Sequence, residues 1–221
     1  MAPFANPDFT PHLIPTPILP LSTDLPTVTT PRLLLRPLLP TDLASFHALR
    51  SQPEVMLNNP QGRPDASAED SLRHLSPLLP PNNTKSFVFA VCFKETPSDL
   101  IGVGGCYNVE RGYYGWPAVG YMFRREVWGQ GVATEFLRGW MGLWRGLERR
   151  PATEREGMVH ELSVVSLDEG REMLTAVVVE GNEGSRRVLE KCGFERFVVR
   201  LERDLRDQSK EVEVGGWGVV V

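Results

Sequence analysis

Residues 120–137 read GYMFRREVWGQGVATEFL, and the rest of the chain is interpreted outward from this stretch. Gly129 and Gly131, one residue apart, leave backbone N–H groups uncovered by side chains. From Val132 the apolar residues fall at 133, 136, 137, 140, 144 and 147, which is the spacing of one helix face. A helix starting there adds the positive end of its dipole to the bare amides, and the combination suits an anion. Gly139, Gly142 and Gly146 each cost about 1 kcal/mol relative to alanine in a helix, so they are read as points of close packing.

Around this stretch the pattern alternates between strand and helix. AVGYMF at 118–123 predicts the strand that feeds the loop, and SFVFAVCF (86–93) and LIGVGGCYNV (100–109), joined by KETPSD, predict an antiparallel pair. RLLLRPL at 32–38 predicts a first strand, with Thr41 and Asp42 capping a helix that carries Leu43, Phe46 and Leu49. Ser67-x-x-Asp70 has capping-box spacing ahead of a second helix, which Pro77 ends. EMLTAVVV at 172–179 predicts a central strand. In EGNEGSRRVLEKCGF, Asn182 caps a short helix and Gly193 closes it, with Phe194 packing back on Leu189. FVVRL and the stretch 212–221 supply two final strands, and the apolar tail GGWGVVV fits a closing strand or a subunit contact. Residues 148–170 are charged and predict a long surface connection. Residues 1–30 are proline-rich without sustained period and predict an extended arm, leaving 31–221 as one mixed α/β domain.

Composition narrows the function classes. The chain has 221 residues, a net charge of −4 and a pI near 5.7, with acids and bases interleaved, which provides no nucleic-acid or membrane surface. No apolar run approaches the ~18 residues of a membrane span, and the N-terminus lacks the basic start of a signal peptide, so a cytoplasmic protein is expected. Cys92, Cys106 and Cys192 are read as buried free thiols, and the four histidines lack ligand spacing, so no metal is assigned.

Several anion loops compete for WGQGVATEF. A Walker A loop is excluded because no Gly-Lys pair occurs in the chain. A dinucleotide fingerprint fits weakly, with Thr134 at its third glycine site and no acidic residue ending a strand ~20 positions on. A glycine turn that leads into a helix and binds nothing is the plainest alternative.

Taken together, GYMFRREVWGQGVATEFL and the later N-x-x-S-x-x-V-L-E-K-C-G-F from Asn182 resemble the GNAT superfamily of acetyl-CoA-dependent N-acyltransferases. TPRLLLRPLLPTDLASFHALRSQPEV is similar to the opening of the branch that contains the ribosomal-protein alanine acetyltransferases. The resemblance implies a mixed, mostly antiparallel sheet with flanking helices and a splayed parallel strand pair. It implies a pyrophosphate loop at Trp128, Gly129, Gln130, Gly131, Val132 and Ala133, with amides extending to Thr134. It implies pantetheine contacts along Gly120 to Arg124, including Tyr121, Met122 and Phe123, opposite Leu174 to Val179. Asn182 and Ser185 match the motif facing the thioester end, although Asn182 is also a good helix cap.

Trp128 departs from the superfamily's Q/R at the first loop position, although Trp there is similar to this branch, and two positions of the catalytic pattern depart as well. Leu189 stands where many relatives carry a tyrosine acid, and Ala118 stands where the branch often carries a carboxylate. Replacement bases are Glu110, Tyr113, Tyr114 and Glu126, for each of which a solvated loop residue is the preferred reading, or a water relay through backbone carbonyls. The implied activity is acetyl transfer from acetyl-CoA to a primary amine, on a small molecule or a peptide N-terminus, without a covalent enzyme intermediate. The alternative is an acyl-CoA-binding module with little catalysis. The acceptor is expected against residues 50–80 and 107–117.

Overall fold

The computed structural model describes residues 9–20, 24–110, 112–151, 156–160, 172–204, 206, 207 and 209–221. Strands β3 (Val28–Thr29), β4 (Leu33–Arg36), β5 (Phe87–Phe93), β6 (Leu100–Cys106) and β7 (Val119–Phe123) form a five-stranded antiparallel sheet in that order. β10 (Met173–Val179), β11 (Glu195–Arg203) and β12 (Glu211–Val220) form a second sheet in the order β10-β12-β11. The tail expected to close the sheet is therefore its middle strand.

Both faces of the larger sheet are covered, which explains why β5 is a continuous apolar run and does not alternate. Phe87, Phe89 and Val91 point into a core with Phe136, Trp140 and Trp144 of the helix α4 (Val132–Arg145). Val88, Ala90 and Cys92 point the other way, onto Phe46 and Leu49 of α1 (Leu43–Arg50) and Leu75 of α3 (Ala68–Leu75). Between these helices a four-residue turn, α2 (Pro53–Met56), starts at a proline and is too short to show a period. Ser67 caps α3 by accepting from the Asp70 amide, and the helix gives way at Pro77 to a 3-10 turn. Gly104 permits the close approach of α4: a Cβ there would lie 2.7 Å from two carbons of the Phe136 ring. Of the helical glycines, Gly139 does pack closely, against Thr30, whereas Gly142 faces open space.

Within the N-terminal segment, residues 9–20 are extended, in keeping with their prolines, and pair where sequence period gave no sign of a strand. β1 (Phe9–Leu13) runs antiparallel to β9 (Glu156–His160), and β2 (Thr16–Pro17) to β8 (Arg149–Arg150). Ile14 between them is fully buried. The connection expected over 148–170 thus contributes two short strands, while 152–155 and 161–171 lie outside the described residues.

Among the described residues, the two sheets meet at a single parallel bridge, Ala118 to Thr175. The Thr175 amide donates to the Pro117 carbonyl at 2.9 Å, and its hydroxyl reaches the carbonyls of Pro117 and Tyr113 at 3.1 and 3.2 Å. Beyond that point no ladder joins β7 to β10. The strands splay, and helix α5 (Glu183–Lys191) follows β10 at the open end.

Candidate functional site

The site is built at the open end of the splay. After β7 a 3-10 turn over Arg125–Val127 leads to Trp128, whose indole N–H donates back to the Phe123 carbonyl at 2.8 Å, while Arg125 lies over its ring. Gly129 and Gly131 take φ of 73° and 76°, a region costly for residues with a Cβ, and Gly131 is the N-cap of α4. The first amide to find a carbonyl in the helix is Glu135, donating to Gly131 at 3.0 Å. Among the described residues, the amides of Gly129, Gln130, Gly131, Val132, Ala133 and Thr134 have no acceptor. Such a row of donors at a helix start can cradle an anion without a lysine. The Gln130 side chain is turned away from it, bonded to the Glu126 carbonyl at 2.7 Å.

β7 pairs with β6 through one edge only, so the other edge of Gly120–Phe123 faces the gap toward β10. The side chains of this strand go elsewhere. Tyr121 and Phe123 pack on Phe136 at 6.2 and 5.6 Å, and Met122 sits against the α1–α3 core. What this strand offers the gap is its backbone edge, together with one side chain. The Tyr121 hydroxyl reaches across to the Ser185 carbonyl at 3.5 Å, and burial pushes its phenol well above the usual range.

Asn182 Oδ1 accepts from the Ser185 amide at 3.1 Å, so the cap is formed, and its amide NH2 has no partner among the described residues. With Glu180, Arg186 and Trp217 it lines a shallow concavity at the start of α5. Leu189 is buried, and the end of α5 is closed as a Schellman motif, with Gly193 N–H on Glu190 and Phe194 N–H on Leu189.

The acid–base candidates are dispersed. Glu110 pairs with Lys85 on an exposed surface. Glu126 accepts both bonds from the Gln52 side-chain amide, which holds its carboxyl below the usual range. Tyr113 is half exposed, whereas Tyr114 is buried against Phe197 with a left-handed φ of 59°. Ala118 sits at the apex of the splay. Tyr107, not singled out by the sequence, lays its ring over Gly120 and remains partly exposed.

The α1–α3 segment, on the other side of the larger sheet from α4, is pinned by charges that no local pattern marks. Buried Arg50 binds Asp65 through Nε at 2.6 Å and Nη2 at 3.1 Å, with Ser71 and Gln61 completing the carboxylate's shell. From the β11–β12 hairpin, Arg206 clasps Asp204 and donates to the Leu57 carbonyl at 3.0 Å. This bond ties the hairpin tip to the residues after α2. Among the described residues no group of His, Cys, Asp or Glu could hold a metal, and no helix is long and apolar enough to cross a membrane.

Residues 32–195 match the family model described as an acetyltransferase (GNAT) domain. A comparison with the curated proteins returns no match. Among solved structures, the fold is similar to a GNAT-family acetyltransferase from Bacillus anthracis, with a TM-score of 0.62 and 17% identity over 88% of this chain and 98% of that one. It is also similar to Mycobacterium smegmatis RimJ in complex with CoA-disulfide, at 0.63 and 18% over 86% and 82%. A third similar structure is spermidine N-acetyltransferase from Vibrio cholerae in complex with CoA and spermine, at 0.60 and 16% over 86% and 96%.

Proposed function

This chain belongs to the GNAT acetyltransferase family, and we propose that it moves an acetyl group from acetyl-CoA to a primary amine by direct attack in a ternary complex. The observation that carries the reading is the row of unpartnered amides from Gly129 to Thr134 beside the unpaired edge of β7. The amides suit the diphosphate, and the edge suits the amides of a pantetheine arm running into the splay. Acetyl-CoA supplies an activated thioester carbonyl. The chain holds it beside the acceptor, and positioning of that kind accounts for much of the rate.

The apex position is taken by Ala118, and both Glu110 and Glu126 are committed to other partners. The amine nitrogen then attacks the thioester carbonyl, the C–S bond breaks, and the amine's proton passes by way of solvent water to the departing CoA thiolate, with Glu110 the alternative base. Asn182 and Ser185 flank the thioester end. A covalent intermediate is disfavoured on Cys106, whose thiol is pushed up to about 12 by burial, leaving almost no thiolate at neutral pH. Three free cysteines suit a cytoplasmic setting. The acceptor is a small amine or a peptide N-terminus, as the resemblance to the ribosomal-protein branch and the polyamine named for one similar structure both suggest.

Titration with acetyl-CoA, in parallel with Gly131→Glu, tests the reading. Micromolar binding that disappears in the variant is expected, because a carboxylate in the cradle repels a diphosphate. Absence of binding to acetyl-CoA, CoA and longer acyl-CoAs refutes it. A second reading, a binding module with little catalysis, draws on Ala118 and Leu189. It predicts that Ala118→Glu gains large turnover on a generic amine where the parent has none, and equal turnover in the two removes its motive.

A further inference from the structure

The cradle contains one group of the wrong sign. Glu135, in the first turn of α4, carries a carboxylate beside the amides meant for a diphosphate. The structure ties it down completely: its Oε1 accepts from the Thr30 hydroxyl at 2.5 Å and the Arg32 amide at 2.8 Å, and its Oε2 pairs with Arg32 Nε at 2.7 Å. Burial alone would raise its pKa, but the Thr30 and Arg32 bonds outweigh that and hold it below the usual range. Arg32 does more than pair. Its Nη1 donates to the Gln130 carbonyl at 3.0 Å, inside the loop itself. In a planar trans peptide the C=O and the following N–H point in opposite directions, so a carbonyl drawn down to Arg32 sends the Gly131 N–H outward. Nη2 has no partner among the described residues and faces the same rim, 3.7 Å from where a Gly131 Cβ would stand.

We infer that Arg32 is a positioning residue of the loop: through the Gln130 carbonyl it sets the Gly131 N–H toward the cofactor diphosphate before the cofactor arrives. The inference rests on the acetyl-CoA reading above. It also explains why an ion pair with one partner 45% exposed is worth keeping, since such pairs add little to stability. Residue 32 lies immediately before β4, almost a hundred positions from the loop it orders.

The test titrates CoA into the parent, Arg32→Ala, Glu135→Ala and the double variant, at a temperature where thermal melts show each to be folded. Arg32→Ala is expected to weaken CoA about tenfold or more. Glu135→Ala is expected to stay within about twofold, because the Arg32–Gln130 bond remains. The double variant separates orientation from charge cancellation. A Kd that stays weak in the double supports the inference, because no group then holds the Gln130 carbonyl. Parental affinity in Arg32→Ala overturns it, and so does recovery of parental affinity in the double, which would leave Arg32 only the task of neutralising Glu135. A parent that fails to bind CoA removes the proposed function and this inference together, whereas binding by the parent with no response in the variants removes the inference alone.

Discussion

Asn182 offers a perturbation in which helix capping and cofactor contact come apart. Its Oδ1 accepts from the Ser185 amide at 3.1 Å, while its NH2 is without a partner among the described residues. Replacement by alanine removes both groups. Serine and aspartate keep a capping oxygen and remove only the NH2, and all three natural caps rank alike. Losing the cap costs about 1 kcal/mol, which in a domain of this size lowers Tm by roughly 2–4 °C. A neutral hydrogen bond to the pantetheine is worth ~0.5–1.5 kcal/mol, or about a threefold to tenfold rise in Kd. Ligand-free melts and CoA titrations on the Ala, Ser and Asp variants then give a two-by-two outcome. Asn182→Ala is expected to lose both Tm and affinity, and Asn182→Ser to hold its Tm while binding CoA about threefold to tenfold more weakly. Parental affinity in Asn182→Ser would refute the cofactor contact and leave Asn182 as a cap only. An unchanged Tm in Asn182→Ala would refute the capping energetics.

Other outcomes follow from the charges and contacts around the site. Asp65 is buried, and although burial raises its pKa, the bonds from Arg50, Ser71 and Gln61 bring it down to about 2. That lies below its unfolded value near 3.9, so its stabilisation is complete above about pH 4 and is lost as pH falls toward 2, a contribution of roughly 2 kcal/mol. Acid melts should therefore show a steeper loss of Tm between pH 4 and 2 in the parent than in Asp65→Asn, and parallel curves would contradict it. Asp65→Asn itself, by leaving Arg50 buried and unpaired, should cost about 3–5 kcal/mol at neutral pH in urea unfolding. Gly104→Ala places a Cβ 2.7 Å from the Phe136 ring, and about 1–3 kcal/mol of lost stability is expected as α4 is pushed off the sheet; an unchanged urea midpoint would mean the ring moves freely. Arg206→Ala releases the Leu57 carbonyl, and hydrogen exchange should quicken across 57–62 while α4 stays protected.

Much of this molecule can be recognised one element at a time. The α4 stripe, the Ser67 and Asn182 caps, the Leu189–Phe194 closure and the two-faced β5 all depend on residues within a few positions of one another. The anion loop belongs with them, since Gly129 and Gly131 obtain their left-handed φ and their bare amides from their own backbone. The pairing of the N-terminal segment was not legible in the same way, because strands of two residues such as Thr16–Pro17 have no period to detect. What the sequence determined by itself is the longer strands and helices, the glycine turn at the start of α4 and the family resemblance, because caps, periodicity and glycine conformation act over one or two turns of chain. Only the tertiary structure decided that Ala118 meets Thr175 at the apex, that Arg206 closes on Leu57, and that Arg32 reaches under the loop to Gln130 and Glu135. Those contacts join residues 57 to 149 positions apart, and their partners are fixed by which sheet faces and edges the fold brings together, a choice that no local propensity encodes.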